Sequence, residues 1–271
     1  MPARPDISDK IIHFTRGTDV EDAFSKAIYM QTENQWRVFA DKLLQLSEKL
    51  CSAMPGDLTE NQRLVVSLLY ARSHQSFKSA VLLAERGYNG DARTLVRSAV
   101  ESAIAIAATG KDAVFVDRLV EADQDRRLRW IRATLNDPEL QHGHSPEDLQ
   151  RFRDTIVAAG DTKPRGIHWD AVAATSNTKV LYHLHYRPMS WHTHVGIESL
   201  NEYALLDAKQ DIVGPKCNGD TAGYAATVEA ACDVIFWAGC MTSEFFGLTE
   251  LLEEFRVMHR RYDKMIKAPA P

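Results

Sequence analysis

The sequence predicts an all-α protein, a helical bundle with an irregular middle loop. Three observations carry that expectation. Apolar residues recur at helical spacing through most of the chain. Alternating Val/Ile/Thr-rich runs of the kind that make strands are almost absent. The periodic segments are bounded by capping and breaking residues at the right offsets. A composition of 45% apolar and 25% charged residues, with 14 Gly and 10 Pro in 271, excludes a disordered chain, a collagen and a disulfide scaffold.

In chain order, Val20 to Cys51 reads as a first long helix that ends before the Met54-Pro55-Gly56-Asp57 turn. Thr59 with Gln62 makes a capping box for a second helix that runs to Arg86, with Gly87 as its C′ residue. Gly87-Tyr88-Asn89-Gly90 is short enough to turn the chain straight back. Asp91 then caps a third helix reaching Ala108 or Thr109, so the second and third helices form an antiparallel hairpin. A fourth helix follows Gly110 and Asp112 and stops at Asn136-Asp137-Pro138. Ser145-Pro146-Glu147-Asp148 opens a fifth, which Gly160 ends. Residues 161–178 look irregular apart from one turn at Trp169 to Ala174. The last helical blocks are Pro188 to Leu206 and Ala222 to Lys267, the latter broken near Gly247, with a Gly/Pro/Asn/Asp-rich loop from Asp207 to Asp220 between them. The division is residues 1–58 for the N-terminal segment and first helix and 59–271 for the bundle. No linker is long or polar enough to separate two cores, so the two parts are expected to form one unit.

With 32 basic and 37 acidic residues, the net charge of −5 argues against a surface that coats nucleic acid or anionic membrane as a whole. Cys51, Cys217, Cys232 and Cys240 show no C-x-x-C spacing and read as reduced thiols. The N-terminus lacks a signal-peptide pattern, and the apolar stretch Ala222 to Leu248 is interrupted by Glu229, Asp233 and Glu244. The expectation is a cytoplasmic protein without a membrane span.

Chemistry concentrates in two places. The third helix is apolar on most of its circumference, yet carries Arg93, Arg97 and Glu101 on one stripe. Either the last two form a partly buried pair that fixes packing, or Glu101 orients a catalytic group on a neighbouring helix while the arginines meet an anion. The second place is the histidine-rich run His183-Leu-His-Tyr-Arg-Pro-Met-Ser-Trp-His-Thr-His194. With Arg187 at a helix entry before Pro188, Arg187 and His194 fall about 20° apart on the helix, with Ser190 and Glu198 on the same stripe; His192 points about 140° from Arg187. Such an Arg–His pair suits metal-free attack on a phosphodiester, the guanidinium holding phosphate and the imidazole moving the proton of a ribose 2′-hydroxyl. The plainer alternative is a histidine satisfied within the bundle and an arginine at a helix start. A metal site is the weaker chemical reading of His183, His185, His192 and His194, because residues two apart on a helix diverge by about 200°. No cofactor is expected. The arginine-rich stretch Asp125 to Arg132 with Trp130 could hold a nucleic-acid backbone and stack a base, but five bases against three acids from Arg118 to Arg132 read first as a solvated helix face. Ile11-Ile-His-Phe-Thr-Arg16 is unusual near an N-terminus and has no assigned role.

Gly87-Tyr-Asn-Gly-Asp-Ala-Arg-Thr-Leu-Val-Arg-Ser-Ala-Val-Glu-Ser, followed about ninety residues later by Tyr186-x-x-x-Ser190-x-x-x-His194, resembles the bacterial domain-of-unknown-function family 5677. The likeness covers Asn61 to Tyr203 and rests on Arg97, Ser98 and Glu101 with Ser190 and His194. It implies helical architecture and a choice of residues, without an activity. More distantly, Arg187-x-x-x-x-His192 and Arg187 with His194 resemble the Arg–His pattern of HEPN ribonucleases, where a polar residue normally stands in place of Pro188. The resemblance implies a homodimer that binds or cleaves RNA, with Arg187, His194 and Glu101 catalytic, and Arg93, Arg97, Tyr186, Ser190 and His192 in support. The rival expectation is a non-catalytic helical module with a protein or small-ligand partner and a buried Arg/Glu/Ser/His network.

Overall fold

The computed structural model describes residues 33–55, 60–141, 143, 145–159, 166–194, 197–207 and 211–267. Helices α1 (Glu33–Ala53), α2 (Asn61–Glu85), α3 (Asn89–Lys111), α4 (Val114–Asn136), α5 (Pro146–Ala159) and α6 (Trp169–Thr175) follow one another. A continuous helical segment then runs from Lys179 through a π turn (Tyr182–Tyr186) into α7 (Arg187–Thr193). After a two-stranded hairpin, β1 (Ala204–Leu206) and β2 (Ile212–Pro215), come α8 (Tyr224–Phe245) and α9 (Thr249–Lys267). The protein is all-α, as its periodicity predicts.

Local chemistry explains the sharpest boundaries. Gly87 at φ +79° closes α2: its N–H donates to the Ala84 carbonyl and that of Tyr88 to Leu83, a Schellman closure that turns the chain directly into α3. The same glycine is required by packing, since an added Cβ would lie 2.1 Å from the Asp220 nitrogen. Gly247, at φ +69°, performs the break between α8 and α9. At α5, Ser145 Oγ accepts from the Asp148 N–H at 3.0 Å, with Pro146 as the first helical residue. Ser145→Ala is expected to cost about 1 kcal/mol, with the lost amide protection confined to the first turn of α5 by hydrogen exchange.

α3 is packed between α2 and α8, and α1 and α9 lie against α8. The main core draws on all five, with an aromatic cluster in which Tyr262 meets Trp36 at 5.9 Å and Phe236 at 5.6 Å, edge to face. The first helix therefore shares the bundle's core. α4 and α5 carry a small separate core of Leu128, Ile131, Leu149 and Ile156. Thr221–Phe245 is long and apolar enough to cross a membrane, but 61% of that window is buried inside the bundle.

Several expectations change. Residues 20–32, Thr59 and the Ile11–Arg16 motif lie outside the described residues. Gln62 is not engaged in a cap; its Nε2 donates to the Thr109 carbonyl at 2.6 Å, tying α2 to the end of α3. α3 begins at Asn89, so Asp91 is a first-turn acid rather than the cap. The block expected to be helical from Pro188 to Leu206 begins earlier, at Lys179, and ends in β1, which pairs antiparallel with β2 inside the expected loop. Pro188 is thus inside a helical segment. A proline ring crowds the carbonyl four residues back, here Leu184, and that residue lies in the π turn, whose wider i→i+5 closure relieves the clash. Phe236 is buried, Phe245 stacks edge-on against Phe246, and Arg63 lies over the Phe246 ring.

Candidate functional site

α3 and the Tyr182–Thr193 segment run antiparallel and share a polar seam. Arg97 is its centre. Its Nε donates to Ser190 Oγ at 3.0 Å, one Nη donates to Tyr186 Oη at 2.9 Å, and Glu101 Oε1 lies 3.1 Å from the same nitrogen. Ser190 Oγ in turn donates to the Tyr186 carbonyl, and the guanidinium sits 4.8 Å from the Tyr186 ring centroid, which also stacks on Tyr182. Burial raises the Tyr186 phenol, against the lowering effect of the Arg97 hydrogen bond. The Arg97–Glu101 pair is four-fifths buried on both sides.

One turn earlier, Arg93 makes an ion pair with Glu202, donates from Nε to Thr227 Oγ1 at 3.3 Å, and lies 3.3 Å from His192 Nε2. A guanidinium has no lone pair to offer, so Nε2 accepts and the imidazole is neutral, its proton on Nδ1 facing Glu202 Oε1 at 3.5 Å. Burial, reinforced by the Arg93 charge, pushes His192 down to about 4. Glu202 reaches α3 because residue 90 is glycine: a Cβ there would lie 2.9 Å from Glu202 Oε2 and from Tyr203 Oη. At the end of the seam Asn89 Nδ2 donates to the Asp220 carbonyl at 2.7 Å, closing the corner formed by Gly87 and Gly219.

The structure therefore gathers Arg93, Arg97, Glu101, Tyr186, Ser190 and His192, and it separates Arg187 and His194 from them. Both are exposed on the outer side of the segment, with Val180, His183, Leu184 and Trp191. The expected meeting of Glu101 with His194 does not occur. Thr94, which touches the His192 carbonyl, lies about 10 Å along α3 from Glu101, and α7 runs away from Glu101 as it approaches His194. α7 also ends at Thr193, leaving His194 extended at φ −109°, ψ 144°, so the helical stripe reaching Glu198 is broken. Ser98 points the other way and accepts from Arg72 on α2.

The histidines disperse as well. His185 Nε2 lies 2.6 Å from Asp233 Oδ2 on α8, away from the seam, while His183 and His194 face outward. Among the described residues no group of three or more His, Cys, Asp or Glu is arranged to hold a metal ion. Sequence reasoning missed Glu202 and Thr227, which have no periodic signal. It also missed Glu229 and Asp233 as a pair, although two acids one turn apart on an apolar helix were visible.

Chemically, the seam's arginines are committed to internal acceptors, so it works as a clamp that fixes the Tyr182–Thr193 segment on α3. No curated protein and no solved structure matches the chain. The family of unknown function DUF5677 matches over residues 63–211, more than half the length, a span that holds Arg93, Arg97, Glu101, Tyr186, Ser190, His192 and Glu202; the chain belongs to that family.

Proposed function

We propose that the chain is a non-catalytic binding module whose recognition surface is the outer side of the Lys179–His194 segment together with the neighbouring hairpin. The observation that carries this reading is the concentration of exposed large apolar side chains there. Val180, Leu184 and Trp191 are each half exposed or more, and Leu200, Tyr203, Leu205, Leu206, Ile212 and Val213 extend the surface. Exposed apolar side chains beside an arginine and a tryptophan have the composition of a protein-binding hot spot. The two-stranded hairpin also offers strand edges with no neighbour among the described residues. A second copy of the chain is the partner to test first. Light scattering at micromolar concentration should report a dimer for the wild type, and Trp191→Asp and Val213→Asp should each return it to monomer. A wild type that stays monomeric removes self-association.

RNA is the second reading, and a specific observation favours it: Arg187, Trp191 and His194 are all exposed within eight residues of one another, and together they offer a phosphate contact, a stacking surface and a proton-transfer group. Glu101 has no part in it, lying on the inner side. If the pair cleaves RNA, single-stranded RNA is degraded in excess chelator and 2′-deoxy substitution at the scissile position blocks the reaction. His194→Ala should then lower the rate about 100-fold. Intact RNA after prolonged incubation with folded protein discards this reading.

A further inference from the structure

Glu229 and Asp233 stand one turn apart on α8, a helix buried on most of its circumference. Two acids in that position repel each other and lose hydration, so their partners decide whether the helix tolerates them. The partners come from two other elements. From the π turn, His185 donates to Asp233 at 2.6 Å, and the two side chains are only 12% and 16% exposed. From α9, Tyr262 Oη donates to Glu229 Oε1 at 3.4 Å.

We propose that His185, Asp233, Glu229 and Tyr262 form a proton-operated latch, which holds the π turn on α8 while Glu229 is protonated and loosens the Tyr182–Thr193 segment once Glu229 ionises. With Glu229 neutral, His185 and Asp233 pair undisturbed and the acid accepts from Tyr262. Ionisation places two carboxylates against one imidazole in a largely dry interface. Hydration is the remaining relief, and it requires something to move. α8 and α9 are held by Trp36, Phe39, Phe236 and Tyr262 packed ring against ring. The π turn is held on α3 by Arg97 through Tyr186 and reaches α8 through His185, and its irregular backbone bonding makes it the element that yields.

The other titratable groups at the cluster are few. Cys232 on α8 is fully buried and its thiol is pushed up by burial and by both acids. The His259–Asp263 pair on α9 borders Tyr262 at the surface. α1 contributes Trp36 and Phe39, without charge, against Tyr262. Burial first, and then Asp233, push Glu229 up to about 7, with Tyr262 and His185 opposing. The proton therefore leaves near neutral pH.

The latch goes beyond the binding reading by giving the outward face a control, and its test involves no ligand, so the two fail separately. Hydrogen exchange corrected for intrinsic rates is followed in peptides covering residues 182–193. If opening returns Glu229 to an ordinary carboxylic acid, linkage makes opening about tenfold more favourable at pH 8 than at pH 6. Glu229→Gln should abolish that difference and remain protected at both values; Glu229→Leu serves the same purpose if the amide variant folds poorly. Asp233→Ala, which removes the acceptor of His185, should be weakly protected at both. Equal protection of the wild type at pH 6 and pH 8 overturns the latch, and so does a Glu229 variant that keeps the wild-type difference.

Discussion

Replacing Arg93 with Met is expected to lower stability by about 2–4 kcal/mol, among the largest single effects the polar seam can show. The side chain is one-fifth exposed, as is Glu202, so little water replaces the guanidinium when it is removed. Three acceptors lose their donor together: the Glu202 carboxylate, Thr227 Oγ1 and His192 Nε2. Methionine fills most of the volume, so the cost is electrostatic rather than a cavity. The loss has a ceiling, because Glu202 can regain water if the Asn201–Leu206 stretch detaches from α3, and it cannot exceed the free energy that holds that stretch down. Chemical denaturation measures the total, and exchange at residues 201–206 measures the detached part. A second substitution, Glu202→Leu, removes the stranded charge and should recover most of the loss. A single variant within about 0.5 kcal/mol of wild type would place Arg93 among ordinary surface residues.

The same seam shows what a sequence can and cannot reveal. Arg93, Arg97 and Glu101 were legible because charge on an otherwise apolar helix requires a partner, and the partner helix was legible through Tyr186 and Ser190. The choice between His192 and His194 was not. It depends on where α7 stops, and Thr193 is its last residue, with His194 already extended, an end that no capping or breaking residue marks at that position. The π turn was hidden for a related reason: i→i+5 bonding has no residue preference strong enough to read, and Pro188, its one trace, was equally consistent with a helix start. β1 and β2, at three and four residues, are too short for alternation to register. Gly87, Ser145 and Gly247 were legible because each solves a problem posed by its immediate neighbours. Glu202 solves one posed more than a hundred residues away.

Stability should peak in a mildly acidic window, because two buried groups pull in opposite directions. Glu229 is held up to about 7 in the folded chain from an ordinary 4.5, so the unfolded chain gives up its proton first as pH rises. Its contribution is complete below about pH 4.5 and is lost as pH climbs through 7, by roughly 2–3 kcal/mol in total. His192 is held down to about 4 from 6.5, so the unfolded chain takes up a proton first as pH falls. Its contribution is complete above about pH 6.5 and is lost as pH drops through 4, by a similar amount. Both side chains are mostly buried, which is why neither effect is screened away as a surface charge would be. From about pH 4.5 to 6.5 the two slopes oppose and nearly cancel, so denaturation measured from pH 4 to pH 9 should show only a shallow maximum of about 0.5 kcal/mol between about pH 5 and 6. Glu229→Gln should remove that cancellation and leave a stability that rises from about pH 4 to about pH 6.5 and is flat beyond it. His192→Gln, whose side-chain oxygen can still accept from Arg93, should leave a stability that falls from about pH 4.5 to about pH 7. If Glu229→Gln lowers stability equally at every pH, the acid is ionised in the folded chain throughout, and both the alkaline limb and the reading of Glu229 as a neutral group are wrong.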